Sequence, residues 1–128
     1  MEKELGESVD QFSVRVSQYA PDPRLTLLTV KGFIDTTTSV EFNEQFQWVL
    51  RDRKFKLLVD LKDVDYIGSA GWCVFVGEIK RIRQQKGDVV LAGMKPQVAE
   101  VFKLLGFSTF LKAYPSVEAA ARKGFGKG

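Results

Sequence analysis

Phe12, Val14 and Val16 alternate with Ser13, Arg15 and Ser17, the period of a strand with one buried face. Ala20-Pro21-Asp22-Pro23 follows, two prolines and an aspartate that predict a turn, and Leu25 to Lys31 (LTLLTVK) reads as a second strand. The chain therefore opens with a hairpin. Gly32-Phe33-Ile34-Asp35 ends that strand, and Thr36, Thr37, Thr38 and Ser39 offer hydroxyls to cap a helix. Phe42, Phe46, Val49 and Leu50 fall at i, i+4, i+7 and i+8, which gives this first helix one apolar face. Phe55 to Leu61 (FKLLVDL) has few polar breaks and suits a central strand covered on both faces.

After a predicted turn at Lys62-Asp63 come Val64-Asp65-Tyr66-Ile67 and Gly68-Ser69-Ala70-Gly71. A second helix begins at or just after Ser69, with Trp72, Phe75, Val76, Ile79 and Ile82 at helical spacing. It runs into the basic stretch Lys80 to Lys86 and is stopped by Gly87, so cations lie at the negative end of its dipole. Asp88 to Ala92 reads as a buried strand. Pro96 opens a third helix (Val98, Val101, Phe102, Leu105) that Gly106 closes, and Thr109-Phe110-Leu111 reads as a short strand. Ser116 caps a fourth helix with Val117, Ala120 and Ala121. The order ββαβαβαβα predicts an α/β domain with a central mixed, mainly parallel β-sheet, an N-terminal hairpin and about four α-helices. No repeat or linker divides it, so residues 12–123 are expected to be one domain between a lead-in at 1–11 and a tail at 124–128, both expected to be flexible.

Composition narrows the chemistry. In 128 residues there is one Cys and no His, which excludes a disulfide framework, a Ser/His or Cys/His nucleophile pair and an imidazole metal site. The N-terminal MEKELGESVDQ is acidic and polar where a signal peptide is basic and then apolar, and no run approaches the ~18 apolar residues of a membrane span. A cytoplasmic location without membrane insertion is expected. The net charge of +3 conceals a split: residues 1–71 carry 9 basic and 12 acidic side chains, residues 72–128 carry 10 and 4. No aromatic residue interleaves the basic stretch and the helix dipole accounts for its position, so nucleic acid is not an expected partner.

In open α/β sheets, ligands and partners gather beyond the carboxyl ends of the strands. Two segments are expected there, Gly32 to Asp35 before the first helix and Ile67 to Trp72 before the second. Glycines on both sides leave Ser69 reachable at the positive end of a helix. The plain reading of Ser69 is an N-cap, worth about 1 kcal/mol. Trp72 is in phase with the buried face, and Cys73 reads beside it as a small hydrophobe, with one or both expected in the core. Asp60, Asp63 and Asp65 read as a solvated turn in preference to a Mg²⁺ site, and neither metal nor cofactor is expected.

These features, taken in order, resemble the STAS domain, the family of bacterial anti-sigma-factor antagonists and of the cytoplasmic tails of sulfate-type anion transporters. The resemblance runs from Phe12 to Lys123. It rests on the hairpin, the Gly32 to Asp35 turn, the run LLVDLKDVDYI, the Ser-Ala-Gly helix start and the segment LAGMKPQVAEVFKLLGF. It implies a protein that is acted upon and is not itself an enzyme. A serine at the position of Ser69 would be phosphorylated by a partner that is both anti-sigma factor and GHKL-type serine kinase. The unphosphorylated form would bind that partner and free the sigma factor, and a PP2C-type phosphatase would reset it. Asp35 matches the family's loop aspartate, and Asp35, Thr36, Gly68, Ser69, Ala70, Gly71 and Trp72 are the expected partner-binding set. The family usually has Asp before the serine, where this chain has Gly68. Two other readings stay open: a STAS adaptor that is never phosphorylated, such as an accessory subunit of a lipid-transport ATPase, and a small nucleotide-binding domain using the GSAG turn. That turn is too short for a P-loop and lacks its Lys-Ser/Thr. The oligomeric state is left open.

Overall fold

The computed structural model describes residues 11–125. In chain order the elements are β1 (Ser13–Gln18), β2 (Thr26–Ile34), α1 (Thr38–Arg51), β3 (Lys56–Ile67), α2 (Ser69–Gln84), β4 (Asp88–Ala92), α3 (Pro96–Leu104), a 3₁₀ turn (Phe107–Thr109), β5 (Lys112–Tyr114) and α4 (Val117–Lys123). The five strands lie side by side in the order β1-β2-β3-β4-β5. The β1–β2 pair is antiparallel and the other three pairs are parallel, so the sheet is mixed and mainly parallel.

Successive strands are laid down in one direction, so right-handed crossovers carry α1, α2 and α3 to the same face. Strand residues alternate between the faces. Leu57, Val59, Val89 and Leu91 join the larger core with Phe42, Phe46, Trp72, Phe75, Ile82 and Phe102 from the helices. Leu58, Val90 and Ala92 point the other way into a smaller core with Leu25 and Ala120, where α4 packs. Ser116 caps α4 as expected, its hydroxyl accepting from the Ala119 N–H at 3.1 Å.

Several boundaries differ from the sequence reading. The expected turn at Lys62-Asp63 does not occur, because β3 runs unbroken to Ile67 and absorbs two extra residues against β2 as bulges. The first bulge falls between the pairs Thr29↔Asp60 and Lys31↔Asp63, the second between Gly32↔Val64 and Phe33↔Tyr66. Asp60 is consequently buried, not solvated, and its carboxylate accepts from the Lys62 ammonium at 3.0 Å. β2 likewise continues through Gly32 to Ile34. Gly32 holds φ +95°, and a β-carbon there would meet the Gln11 carbonyl at 3.0 Å.

The strand expected at Thr109 to Leu111 begins later, at Lys112, after the 3₁₀ turn. Gly87 does not end α2 by its backbone freedom; the left-handed residue is Lys86, at φ 64°. Gly87 is needed for space, since a β-carbon would lie 1.9 Å from the Phe55 carbonyl oxygen. Of the expected tail, Gly124 is buried and Phe125 packs on the smaller core. The remaining tail residues, and residues 1–10 of the lead-in, lie outside the described residues. Among those described, no helix is long and apolar enough to cross a membrane.

Candidate functional site

Two turns meet beyond the carboxyl ends of β2 and β3. The pairing of these strands ends at Ile34↔Ile67, and one further bond, from the Gly68 N–H to the Ile34 carbonyl at 2.9 Å, ties the start of α2 to the end of β2. Gly71 sets how closely α2 approaches. A β-carbon there would lie 2.6 Å from Ile34 Cγ2 and 2.9 Å from Ile67 Cγ2, so only glycine lets the first turn of α2 settle on both strands.

The cap of α1 is not the hydroxyl the sequence suggested. Thr37 makes no side-chain capping bond. The Asp35 Oδ1 instead accepts from the N–H groups of Thr37 and Thr38, both at 3.0 Å, and from the Thr38 hydroxyl at 3.2 Å. The Thr38 hydroxyl also contacts the Phe33 carbonyl at 2.6 Å, closing the turn back on β2. The Thr38 N–H is the main reason the Asp35 carboxyl lies below the usual carboxylate range; partial burial opposes this, and the Thr38 hydroxyl and Thr37 N–H reinforce it. Asp35 is therefore an anion that organises its own loop.

Ser69 is not a cap. The capping position of α2 belongs to Gly68, in extended conformation, and no side chain makes a capping bond there. Ser69 is the first helical residue and is exposed. The N–H groups of Gly71 and Trp72 both donate to the Gly68 carbonyl, at 2.9 and 3.1 Å. Thr36 is exposed, and Asp35, Gly68 and Ala70 are half-buried.

Trp72 and Gly71 drop out of the expected contact surface. Trp72 is 1 % exposed and stacks on Phe107 at 5.0 Å and near Phe102 at 5.7 Å, its Nε1 buried without a partner. Gly71 is buried against the two isoleucines. Of the pair Trp72 and Cys73, one or both of which were expected in the core, only Trp72 is buried; Cys73 is exposed, one turn beyond Ser69. With Ser39, Val40, Asn43, Glu44, Ala70 and Val74 it lines a shallow groove between α1 and α2.

Two residues at the site escaped the sequence reading. Phe33 and Tyr66, at the ends of β2 and β3, are 41 % and 50 % exposed and lean on each other with ring centres 6.2 Å apart. Alternation carried the signal, because Ile34 and Ile67 face the core and their preceding neighbours must face outward. Asp65 pairs with Lys95 of the loop before α3 at 2.5 Å, whereas Asp63 is exposed. Among the described residues no cluster of three or more acidic, Cys or His side chains could hold a metal ion.

A mixed five-stranded sheet with three helices on one face, one on the other, and a serine opening a helix beside an aspartate turn define a small α/β domain. The chain belongs to the STAS domain family, whose pattern covers residues 18–120. It is 31 % identical over 83 residues to the anti-sigma-B factor antagonist of Listeria monocytogenes, covering 65 % of this chain and 73 % of that protein. It is 30 % identical over 97 residues to the Bordetella bronchiseptica protein BtrV, named for an anti-sigma factor antagonist, covering 76 % and 84 %. A crystal structure of an anti-sigma factor antagonist from Mycobacterium paratuberculosis shares the fold with a TM-score of 0.79 at 20 % identity, covering 88 % of this chain and 93 % of that one.

Proposed function

We propose that this protein is an anti-sigma-factor antagonist switched by phosphorylation of Ser69. The observation that carries this reading is the position of Ser69, exposed at the first residue of α2 and engaged in no capping bond. Its hydroxyl is thus not committed to holding the fold. Unmodified, the surface formed by Ser69, Ala70, Gly68, Thr36 and Asp35 docks an anti-sigma factor that is also a serine kinase. The names of the Listeria and Bordetella relatives support an anti-sigma factor as the partner.

In the modifying step, the Ser69 oxygen attacks the γ-phosphorus of ATP held by the kinase. The new Oγ–P bond forms as the bond to the β-phosphate oxygen breaks, the serine proton passes to the kinase's base and ADP departs. The chain supplies the acceptor only. A phosphate brings about −1.5 to −2 charges to a helix N-terminus, which favours the host helix. Release of the partner follows at the surface: a partner packed on Ser69 must bury an unpaired dianion, at a cost of several kcal/mol, or leave. A phosphatase restores the hydroxyl.

The test is incubation of the full chain with ATP and the serine kinase of its own regulatory system, followed by intact-mass and peptide analysis. One phosphate on Ser69 and loss of kinase binding are expected. An unmodified Ser69 overturns the switch, and recovery of a lipid-transport ATPase as the stable partner replaces it with the adaptor reading.

A further inference from the structure

Tyr66 and Gly68 are two residues apart at the end of β3 and share the sheet face opposite α1 and α2. The Tyr66 ring leans on Phe33 and reaches over Gly68: a β-carbon at 68 would lie 3.0 Å from the Tyr66 Oη, 3.3 Å from Cε2 and 3.4 Å from Cζ. The phenol therefore occupies the space a side chain at 68 would take. Gly68 is also the capping residue of α2, the position from which a side-chain oxygen normally reaches the first-turn N–H groups. The Tyr66 oxygen stands in that region instead, and among the described residues it makes no hydrogen bond to the protein.

A phenol differs from a capping carboxylate in carrying no charge and in having a proton to donate. Asp35, from the β2–α1 loop, is ionised with Oδ1 tied to the start of α1. Asp63 and Asp65 lie further back along β3 and are each matched by a cation, Lys62 at 3.9 Å from Asp63 and Lys95, before α3, on Asp65. A dianion on Ser69 thus shares its end of the sheet with the Asp35 carboxylate, with the Tyr66 hydroxyl as the uncommitted donor beside the turn.

We propose that the Tyr66 hydroxyl is the positioning donor for a phosphate on Ser69, and that Gly68 is bare so that the phenol can lie over the turn. This rests on Ser69 being the modified residue. Tyr66 thereby fixes the modified state, holding the phosphate at the end of the sheet where it opposes the partner.

The experiment installs phosphoserine at position 69 of the full chain during synthesis and follows its second ionisation by ³¹P NMR. A donated hydrogen bond favours the dianion and lowers this ionisation below the usual value near ~6. Tyr66→Phe keeps the ring and its contact with Phe33 but removes the donor, and is expected to raise the ionisation by about half a unit, roughly threefold in proton affinity. Gly68→Ala retains the hydroxyl but pushes the phenol outward by a few tenths of an ångström, and is expected to give a smaller rise in the same direction; added to Tyr66→Phe it changes nothing further. Equal titration of the unsubstituted and Tyr66→Phe proteins overturns the proposal, and a Gly68→Ala protein that titrates like the unsubstituted one overturns the role given to Gly68. Because no kinase is needed to install the phosphate, failure of a kinase to modify Ser69 refutes the switch without altering this result.

Discussion

The Gly68 N–H donates to the Ile34 carbonyl at 2.9 Å, one step past the last paired residues of β2 and β3. This bond makes the turn before α1 and the turn before α2 a single structural unit, although Asp35 and Ser69 are 34 residues apart in the sequence. Each turn also holds itself: Asp35 binds the first N–H groups of α1, and Gly71 seats α2 on Ile34 and Ile67. The two turns are therefore assembled as one face in the free protein, so that the proposed modification of Ser69 would act on a preformed surface.

Gly71 and Gly77 lie on the same helix in opposite surroundings, so one substitution is expected to have opposite effects at the two. At Gly71 a methyl group meets Ile34 and Ile67 below 3 Å, and both neighbours are β-branched and buried. Overpacking of this kind costs about 1–3 kcal/mol and exceeds the roughly 0.5–1 kcal/mol helix benefit of alanine over glycine. At Gly77 nothing lies within 4 Å, so that benefit is unopposed. Thermal unfolding should show Gly71→Ala lowered by several degrees and Gly77→Ala raised; equal shifts would remove the packing role assigned to Gly71.

Asp35 links the site to pH. Its carboxyl is more acidic folded than unfolded, so its contribution to stability is present above the unfolded value near 3.8 and is lost as pH falls through the lower folded value. Asp35→Ala should lower Tm by a few degrees at pH 7, and the difference from the unsubstituted protein should shrink below pH 4. Asp35→Asn keeps an oxygen acceptor for the Thr37 and Thr38 N–H groups and should lose less than Asp35→Ala. A Tm difference that is constant from pH 7 to pH 3 would contradict the capping role.

The strand and helix order was legible because each element carries its own period: alternation in β1, and the i, i+4, i+7 spacing of Phe42, Phe46 and Val49 in α1. What local pattern could not carry was set by contact between strands. Lys62-Asp63 has the polarity of a turn, yet β2 continues to Ile34 and holds β3 extended beside it, with the two extra residues expelled as bulges. The cap of α1 was misassigned for a related reason. Four hydroxyls and one carboxylate can all accept, and the backbone of β2 decides which of them faces the helix. Burial of Trp72 was legible from its phase with Phe75, Ile79 and Ile82, whereas exposure of Cys73, its neighbour on the same helix, depended on where α1 packs.

Cys73, the single cysteine of the chain, tests that packing directly. Being exposed in the groove between α1 and α2, it should react fully with N-ethylmaleimide in the folded protein. Tm should change by no more than a degree or two, because no core volume is altered. One turn from Ser69, the adduct should slow phosphorylation of Ser69 by obstructing the kinase. Reaction only after addition of denaturant would place the thiol in the core and contradict the exposed groove between α1 and α2.

Ser69→Ala separates the two roles a serine can have at a helix start. A capping serine loses about 1 kcal/mol on replacement by alanine. Here Gly68 occupies the capping position and the Ser69 side chain makes no capping bond, so the change should fall within ~0.5 kcal/mol, as for exposed sites without special contacts. Denaturant unfolding should give the same midpoint for both proteins. The same variant should bind the anti-sigma factor and resist release by ATP, since its alanine has no oxygen to accept phosphate. Loss of stability near 1 kcal/mol would return Ser69 to a structural role, whereas unchanged stability with unchanged release by ATP would place the modified residue elsewhere.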